Sequence, residues 1–487
     1  MRRLTKIAVA SFILLSSIMP ATGVQPVQVS ASDAYGCAST LSRPEDPVIL
    51  TGADVPSLKG IKPEELVAWK YSNGWEQIPV QVDEKDILEF KKIYNANKYL
   101  DVLFRLAGRK SVSMLSYTDS NTFAGADKNP LVDDNDEIVF MAKDTGGVPD
   151  AFAEPAGVIK DTGVRIRITD PNDSKAEGYV YLFKQDGTLS QSAGEKYVDY
   201  SFKLLSGDYM KTYKTAGGPN PEDSKISTPY YSRHFSDRWI DDELHIYAGT
   251  ATGVDILDRH KALFTPGNPA RSEDTFSKGA KDGFPGEGCF VVNKSGPVRA
   301  IRSYLGANSG FFTQREHVFY ESRQDITTFV RVHAIIGVLD FFDYSPEAGG
   351  MTYYNDLNKS GVIIDGVEDN VVKGKIKWEM VNGSQGALSI THKINTDIPE
   401  LTHTSYYLDS ITPVDMQCTG DAYAYGSSGI RIARKIPNTD PSMDEAKMLE
   451  IKKYLYYKAP GLTVKDAEKL SSNAVAPLEY KVESAGS

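Results

Sequence analysis

The stretch Phe311-Phe312-Thr313-Gln314-Arg315-Glu316-His317-Val318-Phe319-Tyr320, followed after a short polar break by Ile326-Thr327-Thr328-Phe329-Val330-Arg331-Val332-His333-Ala334-Ile335, decides the fold. Polar and apolar residues alternate with the period of a half-buried strand, and both segments are rich in β-branched and aromatic residues. With residues 321–325 as a five-residue hairpin loop, Tyr320 pairs with Ile326 and residues of equal parity share a face. That register places Arg315, His317, Arg331 and His333 on one polar surface. The hairpin is led in by Gly296-Pro297-Val298-Arg299 and runs on to Asp340-Phe341-Phe342-Asp343-Tyr344 and the triplet Tyr353-Tyr354-Asn355.

The same alternation recurs outward in both directions. Residues 66–72 and 75–82 flank Asn73-Gly74, a pair that supplies the positive φ angles of a type I′ turn. Further short strands, broken by Gly, Asn, Asp and Pro, continue through both halves, with Asn382-Gly383 as another turn. At the carboxyl end, Ser442 with Glu445 reads as a capping box, Met448, Ile451 and Leu455 carry helical spacing, and a shorter helix is expected over 464–470. The fold class is therefore all-β, with two packed antiparallel β-sandwich regions and a short C-terminal helical segment. The expected divisions are a signal peptide over 1–31, an N-terminal sandwich over 45–200, a loop-rich connection over 201–290, a second sandwich over 291–440 and a helical tail over 441–487.

Composition bounds the function. The 487 residues are 41% apolar and 24% charged, ordinary for a folded globular chain. A net charge of −11 speaks against wholesale nucleic-acid binding, which needs a basic footprint. Arg2, Arg3 and Lys6 ahead of the apolar run 7–18 have the layout of a secretory signal, so a secreted, extracellular protein is expected, with no integral membrane span in the mature chain. Of the cysteines Cys37, Cys289 and Cys418, the pair Cys289 with Cys418 is the expected disulfide. The acidic loop Asp133-Asp134-Asn135-Asp136-Glu137 is dense in oxygens, and Asp133, Asn135 and Glu137 are candidate ligands of a structural Ca²⁺.

The basic face has a chemical reading. Arg315 and Arg331 offer bidentate forks for a uronate carboxylate, with Tyr320, Tyr353, Tyr354 and Asn355 as further substrate contacts. Neutralising that carboxylate acidifies the neighbouring C5 proton. His317 or His333 could take the proton while Tyr344 protonates the leaving oxygen, which is β-elimination by general acid and base. The structural alternative is a polar outer sheet face on which Glu316, Glu321 and Asp325 offset the arginines.

The strand start at Gly296-Pro297-Val298-Arg299, followed by long antiparallel strands with Arg331-Val332-His333, is similar to the β-supersandwich domains of galactose-mutarotase-like carbohydrate-active proteins, several polysaccharide lyases among them. The resemblance spans about 285–435. It implies an all-β fold and a glycan ligand, and no catalytic signature of that family carries over residue by residue. Three functions are compatible with these readings: a polysaccharide lyase acting on uronate-containing glycans, a noncatalytic extracellular glycan-binding or surface-matrix protein, and a glycoside hydrolase, whose nearest carboxylate pair would be Asp340 with Asp343.

Overall fold

The computed structural model describes residues 38–486 except 95–101, 103, 207–220, 267–270, 279–287, 308–309, 414–418 and 422. The expected signal peptide, Cys37 and Cys418 lie outside the described residues. The chain is mostly β, in several antiparallel sheets with one longer helix near its end.

The amino-terminal part comprises β1 (Pro47–Thr51), β2 (Leu66–Tyr71), β3 (Trp75–Ile78), β4 (Gln81–Asp83), β5 (Lys85–Glu89), β6 (Ser113–Tyr117), β7 (Glu137–Met141), β8 (Val164–Asp170) and β9 (Asp173–Lys184). Asn73 adopts φ 61° between β2 and β3, as the Asn-Gly turn requires. A three-stranded sheet, β1-β7-β4, packs on the sheet containing β8, β9, β2 and β3. Their apolar faces, among them Leu50, Ile138, Phe140, Ile166 and Leu182, form one buried core, because alternate residues of each strand point inward.

The larger part is a two-layer sandwich. One layer is built from β10 (Asp199–Ser201), β11 (Ser224–Ser227), β12 (Tyr231–Asp237) and β13 (Ile240–Ile246), which contact β14 (Leu257–Phe264) of a second four-stranded sheet. The opposing layer starts with β15 (Cys289–Ser295), β16 (Ala300–Ala307), β17 (Gly310–Phe319) and β18 (Arg323–Phe329). The chain then gives β19 (Val338–Tyr344) to the β14 sheet and returns through β20 (Thr352–Asn355), β21 (Asn358–Ile363), β22 (Trp378–Gly383) and β23 (Gly386–Thr396). Finally β24 (Thr404–Ser410) and β25 (Ala424–Ile432) complete the β14 sheet, and β26 (Leu449–Lys458) runs between β18 and β23 in a nine-stranded sheet. After the helix Val464–Val475, β27 (Glu479–Ser484) pairs with β8.

Several expectations change. The region 201–290 is not only a connection, because β10 to β14 form part of a sandwich layer. Residues 449–458 are a central strand rather than a helix. Leu449, Ile451, Lys453, Leu455 and Tyr457 alternate inward, so a period of two prevails over the helical spacing. The turn near Asn382-Gly383 falls two residues later, with Gly383 paired to Gly386. Gly296-Pro297-Val298-Arg299 is the β15–β16 turn, closed by the Gly296 N–H donating to the Arg299 carbonyl at 3.1 Å. It docks on Gln81, whose Oε1 accepts from the N–H groups of Val298 and Arg299. Cys289 is a buried free thiol that donates to the Ile93 carbonyl, so the expected disulfide is not formed.

Candidate functional site

The hairpin that organises the sequence forms, in a different register. Phe319 pairs with Gln324, His317 with Ile326 and Arg315 with Thr328. The turn is the tight Glu321-Ser322, because the Tyr320 N–H donates to the Arg323 carbonyl at 2.8 Å. Arg323 is anchored at that point by Asp46 and Asp325. The shift of parity puts even residues of β18 beside odd residues of β17, and β18 ends at Phe329, before Arg331 and His333. The four basic side chains therefore do not share a surface: Arg315 and His317 face the interior of the sandwich, while Arg331 and His333 lie beyond the strand.

That interior carries a continuous ionised band. His317 on β17 and Lys453 on β26 flank Ile326 in one rung across the sheet, and His392 on β23 follows Lys453. From the opposite layer Asp340 reaches down, accepting from the Lys453 ammonium at 2.6 Å and from Arg315 at 3.2 Å, with His260 Nε2 at 2.7 Å. Arg233 pairs with Asp241, and Arg302 with Glu222 at 2.6 Å. With Glu379, four buried carboxylates (Asp340, Asp241, Glu222 and Glu379) face four buried cations (Lys453, Arg315, Arg233 and Arg302). Low dielectric makes each pairing strong and each loss costly.

The two central histidines are neutral. Burial, then Lys453 and Arg315, hold His260 well below its usual range. Burial, then Arg315 and Arg302, do the same to His317. As the Nε2–H tautomer, a neutral His260 donates to Asp340 while Nδ1 accepts from Arg315 at 3.4 Å, and the Lys453 ammonium, 3.1 Å from Nε2, then donates to Asp340 and not to the ring. Burial raises the Asp340 carboxyl, but Lys453 and Arg315 outweigh it and hold it well below the carboxylate range. Both nitrogens of His317 are engaged, by Tyr304 at 3.2 Å and Gln324 at 3.0 Å.

Three further candidates converge beside this band. Tyr353 on β20 donates to Glu379 at 3.2 Å and accepts from Asn355 at 2.9 Å. Glu379 also meets His392 Nε2 at 2.9 Å, and Tyr344 on β19 lies close enough for that carboxylate to help raise its hydroxyl, after burial. Glu379, His392, Lys453 and His260 escaped the sequence reading, since partners from four strands separated by up to 193 positions leave no local spacing to detect. All of these groups are buried. Asp340 faces this interior, whereas Asp343 turns to the other face of its sheet and pairs with Lys261.

The remaining candidates are dispersed. Tyr320 is buried at the β17–β18 turn, its hydroxyl accepting from Arg299 at 3.4 Å. Tyr354 packs with Trp378, Met380 and Ala467 beneath the C-terminal helix. His333 is partly exposed, with Nδ1 2.9 Å from the Ala334 carbonyl.

Arg331 lines an open groove of about 250 Å³ together with Met114, Phe329, Asp397, Lys447 and Glu450. Its guanidinium lies over the rings of Phe329 at 4.6 Å and Phe90 at 5.4 Å, and donates to Gln314 Oε1 at 3.0 Å and the Phe312 carbonyl at 3.4 Å. Burial pulls its pKa down to about 10, with Glu450 and Glu316 opposing, so it stays charged at neutral pH.

The acidic loop spends most of its carboxylate oxygens on the protein, while the buried Asn135 Oδ1 has no hydrogen-bond partner among the described residues. Glu137 is held by Arg299 at 2.6 Å and Lys85 at 2.8 Å, and Asp133 accepts from Asn135 N–H and Asn129. Glu137 is thus committed to two cations, with which a Ca²⁺ on Asp133 and Asn135 would have to compete. Among the described residues, Asp258, Asp343 and Asp421 do approach one another, but the Lys261 ammonium already pairs with Asp343 and lies 3.7 Å from Asp258.

No family model matches the chain, and no curated protein matches it. Among solved structures, it is similar to a putative aldose 1-epimerase from Escherichia coli K12 at TM-score 0.27 and 9% identity, covering 54% of this chain and all of that one. A glycosyl hydrolase family 38 protein from Enterococcus faecalis matches at TM-score 0.41 and 9% identity over 92% of this chain, which spans 47% of that protein. A family GH92 α-mannosidase from Bacteroides thetaiotaomicron matches at TM-score 0.24 and 7% identity, covering 57% of this chain and 32% of that one. At such scores the likeness assigns neither activity nor residues.

Proposed function

We propose that this chain is a secreted, extracellular carbohydrate-binding protein that holds its glycan in the groove at Arg331. The carrying observation is the make-up of that groove. Phe329 and Met114 offer apolar surface to the C–H face of a sugar ring, and Arg331, Asp397 and Glu450 offer charged partners to its hydroxyls. Binding is favoured over β-elimination because the residues lining the groove include no His or Tyr, and His317 and Tyr344 are sealed in the sandwich.

The test exposes the purified protein to immobilised uronate and neutral polysaccharides and follows retention, unsaturated-uronate absorbance and new reducing ends. Retention without either product is expected, and Phe329→Ala should abolish it. New absorbance would restore the lyase reading, and reducing ends alone would favour a hydrolase using Asp397 and Glu450. Absence of retention on every glycan would end the proposal.

A further inference from the structure

The groove opens onto a wider surface whose charges point to the ligand's class. On the face of the nine-stranded sheet turned away from the interior band, Phe329 and Glu450 form one rung, Thr327, Lys452 and Lys393 the next, and Asp325 and Tyr454 the third. These side chains are partly exposed, whereas the intervening Ile326, Thr328, Ile451 and Lys453 are buried, so this is the solvent face of β18 and β26. Two residues per rung at about 3.4 Å each give a surface roughly 13 Å long across strands about 4.8 Å apart. That exceeds the groove alone.

Two features of this face are incompletely neutralised, with Glu450 the carboxylate they share. The Arg331 guanidinium forms no ion pair among the described residues; its hydrogen-bond acceptors are neutral, although it is largely withdrawn from water. A guanidinium removed from water without a carboxylate is poorly compensated, and its fork is shaped to receive one. Next to it, Lys393 and Lys452 stand directly opposite each other on adjacent antiparallel strands. Like charges in that position repel. Lys452 has Glu450 at 3.5 Å along its own strand, and the Lys393 side chain makes no ion pair among the described residues.

We infer that the ligand is an anionic oligosaccharide lying across this face, one carboxylate on Arg331 and a further one between Lys393 and Lys452. The inference rests on the carbohydrate-binding reading and adds the ligand's charge and length. Glu450, Asp325 and Asp397 share this region, so selectivity would come from the placing of Arg331, Lys393 and Lys452 rather than from a net positive field.

Calorimetry with oligogalacturonates of one to six residues, their methyl esters and neutral oligosaccharides of equal length tests it. The acids should bind at least about tenfold more tightly than the esters, weaken with salt, and gain affinity with length. Arg331→Gln should weaken all acids, including the monosaccharide, whereas the Lys393→Gln, Lys452→Gln double variant should weaken only the longer ones. Thermal melting of each variant confirms that it is folded. Equal binding of acid and ester would overturn the anionic assignment while leaving glycan binding intact. Unchanged binding of long acids by the lysine variant would overturn the extended track. Tighter binding of an oligonucleotide of matched length would overturn the saccharide class, and no binding of any saccharide would overturn the underlying reading.

Discussion

The two faces of β18 and β26 make an instructive pair. Inward, Arg233 pairs with Asp241 and Arg302 with Glu222, while Asp340 is shared by Arg315 and Lys453. Outward, on the next residue of the same strand, Lys452 faces Lys393, and Arg331 nearby rests on neutral acceptors. Cations occupy both faces, but each inner one contacts a carboxylate, whereas on the outer face Lys452 has only Glu450 of its own strand and Arg331 and Lys393 form no ion pair among the described residues. Charge density alone therefore does not mark a site; charge left for an outside partner does.

Removing one inner ion should have the largest effect. Asp340→Asn leaves Lys453 and Arg315 buried without their carboxylate and is expected to cost roughly 3–5 kcal/mol in urea denaturation. A loss below about 1 kcal/mol would mean that water reaches the band, and the contrast between the faces would fail.

The outer counterpart should behave oppositely. Arg331→Gln is expected to weaken an acidic glycan by about 10- to 100-fold, the worth of roughly 1.5–3 kcal/mol for a charge-assisted hydrogen bond, while leaving the urea midpoint nearly unchanged. A large stability loss would assign Arg331 to the structure rather than to a ligand.

His234 is an intermediate case. Its hydrogen bond to Asp242 at 2.7 Å, against the opposing effect of burial, pushes its pKa up to about 9. Because the folded value lies above the ordinary one, the stabilisation is fully present below about pH 6.5 and is lost as pH rises through about 9. Discounted for solvent screening, His234→Gln should cost about 1 kcal/mol near pH 6 and almost nothing near pH 10. A constant difference across that range would show that the pair is not ionic. The smallest effect is expected from calcium: with Glu137 committed to Arg299 and Lys85, Ca²⁺ added to chelator-treated protein should shift Tm by less than about 1 °C.

The fold class was legible because alternation is local. The residues around Asn73-Gly74 and those of β17 declare their own period, and both appear as strands. The relation between strands was not legible to the same degree. Tyr320 and Arg323 close a turn shorter than the polar break implies, because Asp46, far away in sequence, fixes Arg323. One changed parity separated Arg315 and His317 from Arg331 and His333. Tyr344, Tyr353 and Asn355 lie close together in the chain, yet the Glu379 and His392 beside them belong to strands that only the tertiary fold brings there. Residues 449–458 mimic a helix because Met448, Ile451 and Leu455 satisfy a helical repeat by coincidence, whereas the strand partners of Ile451 and Leu455 lie on β18 and β23.

The position of β26 has a consequence for how the molecule is made. It joins β18 to β23, so the two halves of the nine-stranded sheet have no shared edge until residues 449–458 exist. Likewise β8 keeps an open edge until β27 arrives. A chain built from its amino terminus must therefore hold both sheets incomplete, with unpaired edges, until residues 449–484 are made. The two sheets should then close together, and removal of β26 and β27 should yield aggregation-prone material rather than a smaller stable protein.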